Sequence, residues 1–208
     1  MRRRRQGRQP FCIHCVSDSA GSARRLAQVL RLGGRTPLLI DARDRQFSDA
    51  ATQPLFDWTQ QLERGRLLVL PLGEIAAWHA PGARADTPGL LQAACDYDVL
   101  VFDGTHAQAA ASQPDAFAPV LLEVQPDSLT SAYALLKTRA QSGAAAAILF
   151  GDARACTQAK AACARFLGAT QAAAVTCLSE EDDAIAALAV RMAGEEQGCR
   201  PHYKTGNP

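Results

Sequence analysis

Between an apolar run, Phe11-Cys-Ile-His-Cys-Val16, and a stretch with helical spacing, Arg24 to Leu32, stand seven small or polar residues: Ser17, Asp18, Ser19, Ala20, Gly21, Ser22 and Ala23. Small residues at a strand-to-helix junction are where α/β proteins hold phosphate, because free amide N–H groups and the positive end of the helix dipole converge there. Two more carboxylates, Asp41 and Asp103, close the apolar runs Pro37-Leu-Leu-Ile40 and Val99-Leu-Val-Phe102, and Arg43 follows two residues after Asp41. Strand-end carboxylates can hold magnesium, and a guanidinium binds phosphate well. They can equally cap neighbouring backbone amides. The residue types point to a nucleotide loop, of which only part is present.

Other constellations are weaker. Cys12-Ile-His-Cys15 has CxxC spacing, but zinc needs about four ligands and no second closely spaced pair follows. In a strand the two cysteines alternate faces and behave as small hydrophobes, and His14 reads as a packed strand residue. There is no GxSxG or HExxH motif, and His79, His106 and His202 have no evident partners. Lys137 reads as solvated, and Trp58 and Trp78 as packing residues.

The elements that must position these groups follow from periodicity. Leu26, Val29 and Leu30 lie at helical spacing, with Gly33-Gly34 as a stop. A helix ends near Leu62, a short strand covers Leu67 to Leu70, and Pro71 to Gly89 is mostly loop. Strands are expected at Val99–Phe102, Pro119–Val124, Ala145–Phe150 and Ala172–Leu178, alternating with helices at Leu129–Gln141, Arg154–Leu167 and Glu181–Ala193. Asp127 or Ser128 is placed to cap the first of these helices. That alternation predicts an α/β fold: a doubly wound, mostly parallel sheet with helices on both faces and ligands at the carboxyl ends of its strands.

The chain has 208 residues, 48% of them hydrophobic, and a net charge of +1, which suits one packed domain over 11–195 and gives no overall pull toward nucleic acid or membrane. Residues 1–10 read as a disordered Arg-rich arm, where Arg2 to Arg8 would be the only contact for nucleic acid, and 196–208 as a flexible tail. No run reaches the roughly 18 to 20 apolar residues of a membrane span. Seven scattered cysteines suit reduced thiols, so a cytoplasmic location is expected.

Phe11 to Ala23, LLID ending at Asp41, DYDVLVFDG from Asp96 to Gly104 and QPDSLTSAYALLK from Gln125 to Lys137 stand in the order and spacing of MinD/ParA-type deviant Walker ATPases. The last stretch most resembles the branch that controls flagellar number and placement, FlhG or FleN. The resemblance implies a P-loop NTPase-like fold of the SIMIBI type, with ATP and magnesium as cofactors wherever the site works. Laid on this sequence, the family's KGGxGKT loop keeps Gly21 alone. Its leading lysine falls on Ser17, its second lysine on Ser22 and its magnesium-binding threonine on Ala23, while Asp18 brings a negative charge to the phosphate position. Asp103 matches the Walker B aspartate, Arg43 stands where a water-holding acid is usual, and the adenine-reading asparagine falls near Gly151 or Asp152. Losing an ammonium and gaining a carboxylate opposes a triphosphate.

The resemblance therefore implies a degenerate site with no catalytic residue and no bound metal or cofactor. It points to a regulator or adaptor acting through protein partners in flagellar assembly, number or polar placement, with a homodimer among the arrangements it implies. The family's membrane switch is not expected, since Cys199 to Pro208 has two prolines and no apolar face. The alternatives are an ATPase with an atypical loop, or a related regulator of cellulose or other polysaccharide secretion or of pilus assembly.

Overall fold

A computed structural model describes residues 10–45, 60–62, 64–66, 68–71, 94–110, 119–143 and 146–198, with side chains through 192. Trp58, Trp78, His79, His202, the Arg-rich arm and most of the loop expected before Gly89 lie outside these residues. In chain order the elements are β1 (Phe11–Val16), α1 (Gly21–Leu32), β2 (Pro37–Asp41), β3 (Val69–Pro71), β4 (Val99–Asp103), α2 (His106–Ala110), β5 (Val120–Val124), α3 (Leu129–Gln141), β6 (Ala147–Gly151), α4 (Ala153–Leu167), α5 (Ala169–Ala173), β7 (Val175–Cys177) and α6 (Glu181–Gly198).

The strands form one seven-stranded sheet, ordered β3-β2-β4-β1-β5-β6-β7, and every described pairing is parallel. This is the doubly wound α/β class expected from the alternation of elements. A parallel sheet covered on both faces needs strands that are apolar throughout, which is why Pro37–Asp41 and Val99–Asp103 are buried at every position. Alternation then divides the core. Ile13, Cys15, Val101 and Leu121 face α1 and α6, whereas Val16, Val120, Leu122 and Leu149 face α3 and α4. Cys12, Leu100 and Phe102 extend the second face toward Leu62 and Tyr97. Each fully buried leucine or isoleucine contributes roughly 1.5 to 3 kcal/mol.

The chain leaves β1 toward β2 and β3, returns to β4, and only then crosses to β5. The winding therefore reverses beside β1, and the ends of β1, β4 and β5 meet at one crevice. Loop Ser17–Ala20 opens into it.

Several boundaries differ from expectation. Helix α1 begins at Gly21 rather than Arg24, so Ser22 and Ala23 are buried helix residues and the loop is only four residues long. Val29 is exposed; Ala27 takes its place on the buried face. The third strand is Val69–Pro71 rather than Leu67–Leu70, and β6 starts at Ala147 rather than Ala145. The stretch read as a strand from Ala172 begins as α5, because alanines carry no period and favour helix. Ser128 precedes α3 but makes no side-chain cap; its hydroxyl is engaged by the Gln125 backbone. Helix α6 reaches Gly198, three residues into the expected tail.

Candidate functional site

Ser17, the first residue beyond β1, is 3% exposed and organises the crevice. Its hydroxyl donates to Glu123 Oε2 at 2.6 Å, lies 2.9 Å from Ser22 Oγ and accepts the Ser19 amide at 3.0 Å. The Asp18 amide donates to the same Glu123 oxygen at 2.9 Å, and the Ser19 amide adds a further bond to that carboxylate. Glu123 lies two residues after Leu121 on β5 and shares its face, the one that α1 covers, so its side chain rises under the loop. Gln125 Nε2 holds its other oxygen at 2.9 Å.

This carboxylate therefore takes the amides that a phosphate would use. Burial pushes its pKa up, but bonds from Ser17, Gln125 and the Asp18 and Ser19 amides outweigh that and leave it lowered. The negative charge at the loop comes from Glu123, a distant strand residue with no part in the sequence reading, whereas Asp18 is exposed.

The opposite side of the loop is cationic. Arg43 Nη1 donates to the Ser17 carbonyl oxygen at 2.8 Å, so its guanidinium grips backbone. Arg45 Nη2 reaches the same oxygen at 3.0 Å and Arg45 Nη1 the Asp18 carbonyl at 2.9 Å. Arg45 also pairs with Asp103, whose side chain is 1% exposed. Asp41 Oδ1 accepts the amides of Arg43 at 3.3 Å and Arg45 at 3.1 Å, so it caps the loop after β2. Asp44, with φ 52°, supplies the left-handed turn in this loop, a conformation aspartate tolerates.

The two strand-end carboxylates thus meet amides and a guanidinium. Arg45 stands against Asp103 where a magnesium ligand would need an open oxygen, and the Ser22 hydroxyl is turned to Ser17. A cavity of about 110 Å³ beside the loop is lined by Asp18, Arg43, Thr105, His106, Glu123 and Ser128, among others. Nucleotide-sized ligands occupy pockets of roughly 300 to 1,000 Å³. The residues present do not fit a magnesium triphosphate: its amides are taken, its metal position is cationic and the adjoining space is small.

His106 opens α2, and its Nε2 has no hydrogen-bond partner among the described residues. Burial lowers its pKa, Asp18 raises it and Arg43 lowers it, leaving it below the usual histidine value. Sequence gave no partner for it; the fold supplies Asp18 and Arg43 as neighbours. Ser17 bonded to a carboxylate of reduced basicity is a poorly activated nucleophile.

The other candidates are used in packing, capping or solvent contact. Cys12 and Cys15 are buried on opposite faces, and burial raises the Cys15 thiol further from ionisation. His14 packs edge-on against Phe102, Lys137 is exposed, and Asp152 caps α4 through the Ala155 amide at 2.7 Å. Gly151 ends β6 with φ 108°, close to Val124 O and to the Glu123 and Gln125 side chains. Among the described residues no group of three or more His, Cys, Asp or Glu could hold a metal, and no helix is long and apolar enough to cross a membrane.

No protein-family model matches the chain, and no curated protein matches it.

Proposed function

We propose that this chain is a non-catalytic regulator or adaptor built on a MinD/ParA-like scaffold, acting in the cytoplasm through protein contacts in flagellar assembly, number or polar placement. The process is taken from the resemblance of Gln125 to Lys137 to the FlhG branch; the loss of chemistry is taken from the crevice. The observation that carries this reading is the Glu123 carboxylate on the Ser17 hydroxyl and the Asp18 amide, with Arg45 on Asp103. Binding a triphosphate there would mean breaking both sets of contacts and placing its negative charge beside Glu123 and Asp18. Electrostatics in a partly enclosed crevice opposes that strongly.

Isothermal titration of the full chain with ATP and magnesium tests the loss of nucleotide binding. No heat of binding is expected. Micromolar binding that disappears in Asp103→Ala would overturn the reading. Affinity capture from the native cell tests the process: enrichment of flagellar components is expected, and enrichment of polysaccharide-secretion or pilus components instead would reassign it.

A further inference from the structure

One peptide unit, between Ser17 and Asp18, is engaged at both ends. Its N–H points to the Glu123 carboxylate, and its C=O accepts from the guanidinium groups of Arg43 and Arg45. Glu123 belongs to β5, whereas both arginines follow β2, and Arg45 continues to Asp103 at the end of β4. A hydrogen-bonded peptide with an anion on its donor and cations on its acceptor is polarised in one sense by both, so each contact strengthens the other. The next peptide, between Asp18 and Ser19, runs the same way: its C=O accepts from Arg45 and its N–H turns to the Ser17 hydroxyl and the Glu123 carboxylate.

From this we infer that Glu123 is a resident anion and, with Arg43 and Arg45, forms an intramolecular latch across the Ser17–Asp18 peptide that orders both loops without any ligand. The inference rests on the reading that the crevice does not take nucleotide, and it adds what occupies the crevice instead. The latch is a ligand-binding device turned inward: the donors of Ser17, Asp18 and Ser19 keep their affinity for a carboxylate, but the carboxylate is covalently part of the chain. Deleting it should leave donors that accept a free one, because the vacated volume adjoins the cavity that Arg43 and His106 line.

The test is amide exchange, followed by NMR on the full chain, in Glu123→Ala with and without sodium acetate. Exchange at the Asp18 and Ser19 amides should accelerate about tenfold or more, the size expected for losing a hydrogen bond to a charged acceptor. Exchange at the Arg45 amide should accelerate with it through the shared peptide. Acetate should restore protection saturably, and chloride at the same ionic strength should not. Unchanged exchange in Glu123→Ala would overturn the latch, as would acceleration that acetate leaves untouched or that chloride reverses equally. An Arg45 amide that does not respond would overturn the coupling between the halves. Glu123→Gln keeps the side-chain volume while replacing an acceptor oxygen by a donor. It should accelerate the same amides with no acetate response, and wild-type exchange in it would sink the proposal even where Glu123→Ala fails to fold. ATP binding to the wild-type chain would refute the functional reading and leave acetate rescue standing, so the two failures are separable.

Discussion

Arg45→Met is the sharpest perturbation of the crevice. The substitution keeps most of the side-chain length but removes the guanidinium paired with Asp103, whose side chain is 1% exposed. Breaking a buried pair from one side costs about 3 to 5 kcal/mol, because the remaining charge stays desolvated. Arg45 itself is 15% exposed, which lets some water screen the carboxylate and favours the lower end of that range. The Ser17 carbonyl keeps Arg43, so its loss is only partial. Urea denaturation of the full chain measures the result: with an m-value of about 2 to 3 kcal/mol/M, the midpoint falls by about 1 to 1.5 M. Adding Asp103→Asn removes the buried carboxylate charge, so the double variant should be more stable than Arg45→Met alone, with a coupling energy above about 1 kcal/mol. Arg45→Met within about 0.5 kcal/mol of wild type, or a double variant that loses the simple sum of both, would refute the reasoning.

Two further outcomes follow from the core and from a helix terminus. Burial, followed by the Arg139 charge, holds His14 down to about 3, so the unfolded chain binds a proton below its ordinary value of 6.5 while the folded chain does not. That contribution to stability is full at neutral pH and is lost as pH falls from 6.5 toward 3. It amounts to about 2 kcal/mol between about pH 7 and pH 5, measured by urea denaturation at each pH, and His14→Leu should remove most of that slope, leaving the smaller same-signed part from His106. Separately, Asp152→Ala removes the cap on the Ala155 amide and should lower stability by about 1 kcal/mol, read as a shift in the thermal midpoint.

Much of the fold was legible because a buried parallel sheet writes itself as unbroken apolar runs. Phe11–Val16, Pro37–Asp41 and Val99–Asp103 appear where those runs stand, and Leu129–Gln141 has the expected bounds. The start of α1 was not legible because Ala20 stands at the cap position, the first turn has no acid and Ser-Ala-Gly-Ser-Ala reads as loop. The site was half legible. Asp41, Asp103 and Ser17 stood at strand ends, where topology gathers ligating groups, but Glu123 and Arg45 meet the loop across 105 and 27 residues of chain in the contacts to Asp18. A lone acid inside Val-Leu-Leu-Glu-Val, and a second arginine two residues after Arg43, were the only local traces. Charge partners are chosen by sheet order, and strand order is not written in any one stretch.

The covalent tether of Glu123 to its own cradle has a consequence in mass action. A protein ordered by a dissociable effector gains stability with the logarithm of that effector's concentration, and loses it on dilution or when the cell's supply runs down. An anion carried on the same chain has no such concentration term. If the proposed latch holds, the order of this crevice does not follow the concentration of any free anion, and a partner recognising its shape would respond to the abundance of the protein.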